Sequence, residues 1–318
     1  MRASGSAAVV AKGLTKRFGD TVALEEQSFS VQHGEVFGFI GPDGAGKTTL
    51  FRILTTLLVP DTGAARVLDL DVVRDLWLLR TRIGYMPGRF SLYPDLSVEE
   101  NLRFFASVFG TDVEEHYDLI APIYQQIAPF RDRRAEALSG GMKQKLALCC
   151  ALVHRPDILF LDEPTTGVDA VSRREFWQLL AELKTGGLTI VVSTPYMDEA
   201  DRCDRIALIQ RGRILDIDAP HAIGARYPFP LLAVRAADRS RLIRALRAYP
   251  FAHSAYPFGA ELHYTDRRAD RNGAELAFDI CGYLRAEGFD DADVVPIAAG
   301  IEDSFMLLAS SHAEAAGP

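Results

Sequence analysis

The sequence has little cysteine and none at a metal-binding or redox spacing. Cys149, Cys150, Cys203 and Cys281 are its four cysteines. Without a Cys-x-x-Cys or Cys/His cluster there is no basis for a zinc site or a disulfide framework, and reduced cysteines in a cytosolic setting are expected. Long apolar runs are also missing. The best candidate, Leu146 to Leu161, is broken by His154, Arg155, Pro156 and Asp157, short of the roughly 18–20 residues that a spanning helix requires. The opening MRASGSAAVV lacks the apolar core of a signal peptide. A soluble chain is therefore expected, one that reaches any membrane through a partner. Basic residues are in deficit: 35 Lys and Arg against 43 Asp and Glu give a net charge of −8, a global field that argues against a dedicated nucleic-acid binder. No long repeat or low-complexity tract occurs.

What is present is an alternation of short apolar runs and helical segments. Ala8 to Leu14, Phe29 to Val31, Val36 to Ile40, Ile158 to Leu161, Leu188 to Ser193 and Ile206 to Gln210 read as strands. Helical character is expected over Thr48 to Leu57, through most of the stretch from about Gly88 to Val153, and over Arg173 to Lys184, which Gly186 and Gly187 stop. Ser97 and Glu100 have the spacing of a capping box. Strands alternating with helices indicate an α/β sheet. A Pro/Gly-rich break over Ala219 to Pro230 then separates a different pattern. Leu231 to Val234, Arg239 to Ala248, Ala252 to Tyr256, Glu261 to Tyr264, Glu275 to Glu287 and Ala292 to Ile297 read as βαββαβ, the ferredoxin-like order, with a short helix over Ile301 to Ala309. Two domains are expected, 1–222 and 223–318.

Between an apolar strand and a helix stands Gly41-Pro42-Asp43-Gly44-Ala45-Gly46-Lys47-Thr48, extended by Thr49. This fits the GxxxxGK[ST] phosphate loop. Its glycines let backbone N–H groups approach phosphate oxygens. The helix N-terminus adds its dipole, Lys47 neutralises β- and γ-phosphate charge, and the Thr48 hydroxyl suits Mg²⁺. Bound ATP with Mg²⁺ is the expectation. Far downstream, Ile158 to Leu161 leads into Asp162-Glu163. A buried strand there would deliver Asp162 to the metal, with Glu163 beside it to orient or deprotonate an attacking water.

Leu138-Ser139-Gly140-Gly141-Met142-Lys143-Gln144 is similar to the LSGGQ signature of ABC ATPases and holds the family's position before the Asp-Glu strand. The resemblance covers roughly 8–220. It implies a P-loop NTPase cassette with a RecA-like core, an N-terminal antiparallel β subdomain and a helical subdomain at about 88–153, followed by a small α+β domain. It further implies that Ser139, Gly140 and Gly141 face ATP held by a second ATPase subunit. Phe18 would stack on adenine. Asp169, in Thr165-Thr166-Gly167-Val168-Asp169, would lie in the D-loop at the dimer interface. Gly84-Tyr85-Met86-Pro87, Tyr196-Met197-Asp198-Glu199-Ala200 and the tail Ile301-Glu302-Asp303-Ser304-Phe305 resemble the drug- and antibiotic-export type that pairs with type-2 permeases. The implied location is cytoplasmic, peripheral on the inner face of the cell membrane.

Two positions depart from the family. Gly88 stands where the Q-loop glutamine is usual, and Pro195 where the switch histidine is usual. Glycine has no side chain to touch metal or water, and proline has neither a side-chain donor nor a backbone N–H. The expectation is secure ATP binding with slow turnover at this chain's own site. Its intact signature would serve ATP held by a different, complete partner, so a heterodimer is favoured over a homodimer. The alternatives are a largely non-hydrolysing regulatory subunit, or substitution of the missing groups by Arg89, His33 or a partner residue.

Overall fold

The computed structural model describes residues 7–88, 92–268 and 271–315. They form two compact units that divide between Pro220 and His221.

The first unit opens with long antiparallel strands β1 (Ala7–Phe18) and β2 (Thr21–Gln32), followed by β3 (Val36–Ile40), which is buried throughout. Helix α1 (Lys47–Leu54) follows the glycine-rich loop. Next come β4 (Thr62–Val67), β5 (Leu70–Asp71), α2 (Leu76–Arg80) and β6 (Ile83–Met86). A helical stretch comprises α3 (Val98–Phe109), α4 (Tyr117–Tyr124) and α5 (Gly140–Leu152). Ser97 caps α3 in a full capping box with Glu100. The unit continues through β7 (Ile158–Asp162), α6 (Ala170–Thr185), β8 (Thr189–Thr194), β9 (Arg205–Gln210) and β10 (Arg213–Asp218); α7 (Pro220–Ala225) starts at the division, with all but its first residue in the second unit.

Two sheets organise these elements. One has the order β2-β1-β4-β5; the other has the order β10-β9-β3-β8-β7-β6. Within the second sheet β9, β3, β8, β7 and β6 run parallel, and β10 closes the edge antiparallel to β9. Parallel strands covered on both faces must be apolar along their length, which is why VFGFI and ILFLD carry almost no polar side chain. One core joins the two sheets. A file of aromatic rings runs through it, from Phe29 through Phe39 and Phe51 to Phe160, with neighbouring centroids 5.0–5.9 Å apart and edge-on. Such edge-to-face pairs add about 0.5–1.5 kcal/mol each beyond burial.

β1 and β2 are longer than the apolar runs in the sequence suggest. Their pairing carries repeated register shifts, so inward and outward residues do not keep a simple alternation.

The second unit contains β11 (Leu231–Arg235), α8 (Arg239–Ala248), β12 (Ala252–Phe258), β13 (Glu261–Asp266), α9 (Gly273–Ala286), β14 (Asp293–Ile297) and α10 (Ile301–Ala315). Its sheet order is β12-β13-β11-β14, all antiparallel. That is the ferredoxin-like topology, with its own core of Leu232, Val234, Leu242, Leu246, Tyr264, Leu276 and Ile280.

Candidate functional site

Four neighbouring parallel strands, β3, β8, β7 and β6, end on the same edge of the second sheet, the edge where open α/β sheets bind ligands. From β3 comes the phosphate loop. Ser193 and Thr194 end β8, Asp162 and Glu163 end β7, and Gly88 follows β6. Residues distant in sequence are thereby gathered into one place.

The loop needs its glycines for two separate reasons. Gly44 and Gly46 have φ of +77° and +103°, a region costly to residues with a Cβ. A Cβ on Gly41 would sit 2.0 Å from the Ile209 carbonyl, and one on Gly46 would sit 2.5 Å from the Ala23 carbonyl. Pro42, Asp43 and Ala45 complete the turn, and the Ala45 N–H donates to the Pro42 carbonyl. No side chain caps α1, so the N–H groups of Lys47, Thr48 and Thr49 point outward in the arrangement that receives a phosphate. Lys47 is buried, and its Nζ donates to the carbonyls of Gly41 (2.7 Å) and Pro42 (2.9 Å). It also lies 3.1 Å from Glu163 Oε1.

Asp162 is buried and accepts from Ser193 Oγ at 2.6 Å. The Thr48 hydroxyl lies near enough to act as a second donor that favours its charged form. Burial pushes its carboxyl above the ordinary aspartate value, against the pull of those two donors. Thr48 and Asp162 thus present two oxygens to one point beside the phosphate loop, a donor set that fits Mg²⁺. Glu163 has φ of +51°, unusual for a residue with a side chain. Its N–H donates to both the carbonyl (3.1 Å) and the hydroxyl (3.0 Å) of Ser193, which holds that conformation.

Ser139 is the N-cap of α5; its Oγ accepts from the Met142 N–H at 3.3 Å. Asp169 caps α6 by accepting from the N–H groups of Val171 and Ser172, both at 3.0 Å. The two caps belong to one packed corner. A Cβ on Gly141 would meet Ser172 Oγ at 2.6 Å, whereas Gly140 has room. Gly141 is therefore required for helix approach, not for chain flexibility.

Phe18 ends β1 and is 51% exposed, with Lys16 Nζ 5.7 Å from its ring centre. It is not a core residue. Gly88 packs so closely that an added Cβ would lie 2.9 Å from the Asp162 carbonyl. Pro195 directly follows β8 and is half-buried. His33 lies before β3, at the opposite edge of the sheet from the phosphate loop, where the Gly34 N–H is tied to Thr189 at the start of β8. The idea that His33 replaces a missing group in the site is therefore corrected: a whole strand separates the two. Arg89 lies outside the described residues. Sequence reasoning missed Ser193, whose contact with Asp162 and Glu163 comes from the pairing of β8 with β7; its hydrophilic character carried no signal of burial.

Residues 24–166 match the family model for the ABC transporter. The chain is 43% identical over 224 residues to the probable multidrug ABC transporter ATP-binding protein YbhF of Escherichia coli, covering 70% of this chain and 39% of that protein. It thus spans well under half the length of that relative. To the Nod factor export ATP-binding protein I of Burkholderia lata it is 40% identical over 215 residues, covering 67% and 71%. To the protein of the same name from Bradyrhizobium diazoefficiens it is 34% identical over 307 residues, covering 95% and 96%. Among solved structures, an ATP-binding subunit of an ABC transporter superposes with a TM-score of 0.63 at 27% identity, over 69% of this chain and 93% of that one. A dimeric ATP-binding cassette in a post-hydrolysis state with ADP and Pi gives 0.60 at 26% identity, over 66% and 98%. With the phosphate loop, the Asp162–Glu163 strand end and the Ser139 helix on one scaffold, the chain belongs to the ATP-binding family of ABC transporters.

Proposed function

We propose that this chain is the ATP-binding, ATP-hydrolysing subunit of an exporter whose membrane path is formed by separate type-2 permease subunits. The observation that carries the reading is the convergence of Lys47, Thr48, Asp162 and Glu163 at the ends of β3 and β7, with Ser193 between them. The phosphate loop and the α1 N-terminus hold the triphosphate. Thr48 and Asp162 would hold Mg²⁺, which would supply positive charge beside the phosphates. Glu163 orients or deprotonates the attacking water. Phe18 offers an exposed ring for adenine. Ser139, Gly140 and Gly141 contribute the N-terminus of α5 to ATP held by a second ATPase subunit, and Asp169 fixes the corner beside them.

Gly88 and Pro195 favour a division of labour. This chain's own site binds ATP firmly and turns it over slowly, while its signature completes the site of a different, complete partner. The pair is a heterodimer. Residues 221–318 form an accessory domain with a stabilising or regulatory role. Relatives named for multidrug and Nod factor export support export as the direction.

Among the described residues no helix is long and apolar enough to cross a membrane, so a permease needs a docking surface. A groove of about 460 Å³ lined by Leu57, Trp77, Tyr85, Phe105, Val108 and Phe109 suits a cytosolic permease segment. Trp77 is 75% exposed and Val108 60%. Such an assembly places the chain on the inner face of the cell membrane.

The test is nucleotide binding and single-turnover hydrolysis by the purified chain, with Glu163→Gln as control. ATP binding with slow, Glu163-dependent hydrolysis is expected. Absence of ATP binding would sink the reading, and turnover at the rate of a complete ABC ATPase would sink the division of labour.

A further inference from the structure

A buried carboxylate next to the site has no part in the chemistry above. Glu199 follows β8 in the segment Tyr196-Met197-Asp198-Glu199, and only 2% of it is exposed. Its Oε2 accepts from Thr194 Oγ1 at 2.5 Å and from Thr165 Oγ1 at 3.2 Å. Both threonines are buried. Thr194 is the last residue of β8, directly before Pro195; Thr165 lies two residues beyond Glu163. The other oxygen, Oε1, is buried without a hydrogen-bond partner, and Arg173 Nε of α6 stands 3.7 Å from it. Arg173 also donates to Asp198 at 2.7 Å and lies over the Tyr196 ring, 4.9 Å from its centre.

Burying a carboxylate is costly unless its contacts repay it. This one joins three segments: the end of β8, the turn after β7 and the start of α6. It lies beside a second cross-link made by its neighbour in the strand. Ser193 holds Asp162 through its hydroxyl and the Glu163 N–H through its carbonyl and hydroxyl. Consecutive residues of β8 thus grip the segment after β7 at two points, Ser193 at Asp162–Glu163 and Thr194 through Glu199 at Thr165. Between the two grips lies the positive-φ backbone of Glu163, a conformation costing about 1–3 kcal/mol that persists only where its surroundings fix it.

We propose that Glu199 is a positioning residue for Glu163. It clamps Thr165 to Thr194 and so fixes the turn that carries the Glu163 carboxylate, an assignment that rests on the ATP-hydrolysing reading of the site. The clamp also ties the Pro195 segment to that turn without a histidine at 195. Backbone rigidity is the means; Glu199 itself touches neither phosphate nor metal.

The test compares Glu199→Ala, Glu199→Gln and Thr165→Val in the full-length chain, by amide hydrogen exchange, ATP affinity and single-turnover hydrolysis. In Glu199→Ala the amides of 163–168 should exchange about tenfold faster while those of 41–49 stay protected, a local opening below the global one. ATP affinity should stay within about twofold, and hydrolysis should fall by about tenfold or more, the split expected when positioning, not binding, is lost. Glu199→Gln keeps one oxygen able to accept both hydroxyls and should recover most of the protection and rate. Thr165→Val removes one donor at nearly constant volume and should show the same local exchange, so the question is answered even if Glu199→Ala does not fold. Unchanged exchange over 163–168 in the folded variants overturns the clamp, as does equal acceleration over 41–49. Failure of the wild-type chain to bind ATP would instead overturn the proposed function, leaving the exchange result to stand by itself.

Discussion

Lys47 Nζ lies 3.1 Å from Glu163 Oε1, so the lysine of the phosphate loop and the candidate catalytic carboxylate are directly paired. The lysine's remaining hydrogen bonds go to the Gly41 and Pro42 carbonyls. A phosphate approaching this loop competes with Glu163 for the ammonium. A bound phosphate would therefore release the carboxylate from the lysine.

From that competition, Glu163→Gln should bind ATP a few-fold more tightly, because the pair loses its charge attraction, worth about 1 kcal/mol in a partly exposed setting. Hydrolysis should fall by on the order of 10²–10⁴, the usual contribution of a general base. Lys47→Ala should lose ATP binding. Titration with a fluorescent ATP analogue and single-turnover assays give both numbers; weaker binding by Glu163→Gln would contradict the competition.

The two departures from the family should not revert equally. Gly88→Gln must place a Cβ against the Asp162 carbonyl, a 2.9 Å approach to backbone. Overpacking of that kind costs about 1–3 kcal/mol, so this variant should melt lower and gain little rate. Pro195→His meets no comparable barrier in a half-buried loop and should raise the single-turnover rate, by on the order of tenfold or more if it supplies one preorganised donor. Thermal melts beside rate measurements separate the two effects.

Asp162 should set the acid limit of activity. Burial raises its pKa, and the Ser193 and Thr48 hydroxyls pull it down. A raised carboxyl favours the neutral form in the folded chain. Its contribution to stability is present below the ordinary aspartate value and is lost as pH rises through the raised one. Protons compete with Mg²⁺ over that same interval. Ser193→Ala removes a donor to the charged form, so the acid limb of Mg²⁺-dependent hydrolysis should move to higher pH. A limb that stays fixed would dissociate it from Asp162.

The C-terminal unit should have its own pH window. His263 Nδ1 and Asp303 Oδ1 are 2.6 Å apart and buried. Tyr256 OH and the Gly300 N–H also donate to Asp303. Burial alone would lower the His263 pKa, but the Asp303 and Glu261 carboxylates together outweigh it and leave the imidazole above its ordinary value. Burial alone would raise Asp303, but His263, Tyr256 and the Gly300 N–H hold it below the ordinary carboxylate range. The histidine's contribution is full below its unfolded pKa and is lost as pH rises through the raised one. The aspartate's contribution is full above its unfolded pKa and is lost as pH falls through the depressed one. Unfolding monitored across pH should therefore show this unit most stable between those limits. His263→Ala should cost about 3–5 kcal/mol, the typical result of stranding one member of a buried pair.

Much of the site was legible in one dimension because its chemistry is local. The loop from Gly41 to Thr49 uses consecutive backbone N–H groups, and β3 and β7 are short apolar runs because parallel strands covered on both faces tolerate little else. The Ser97–Glu100 box and α8 were legible for the same reason: a cap and a helical period are written in neighbouring residues. β4 and β10 were not, since their side chains are largely exposed or half-exposed and leave no apolar pattern.

The sequence by itself determined that this chain carries a nucleotide loop, an Asp-Glu strand end, a signature helix and two unusual residues, Gly88 and Pro195. Only the tertiary structure decided what those residues meet. Strand order placed β8 between β3 and β7, and so made Ser193 the partner of Asp162 and Glu163. It buried Glu199 between two threonines and seated Asp303 of the acidic-looking tail against His263. The physical reason is separation along the chain: a backbone loop needs only its neighbours, whereas a buried carboxylate needs donors that folding alone brings within reach.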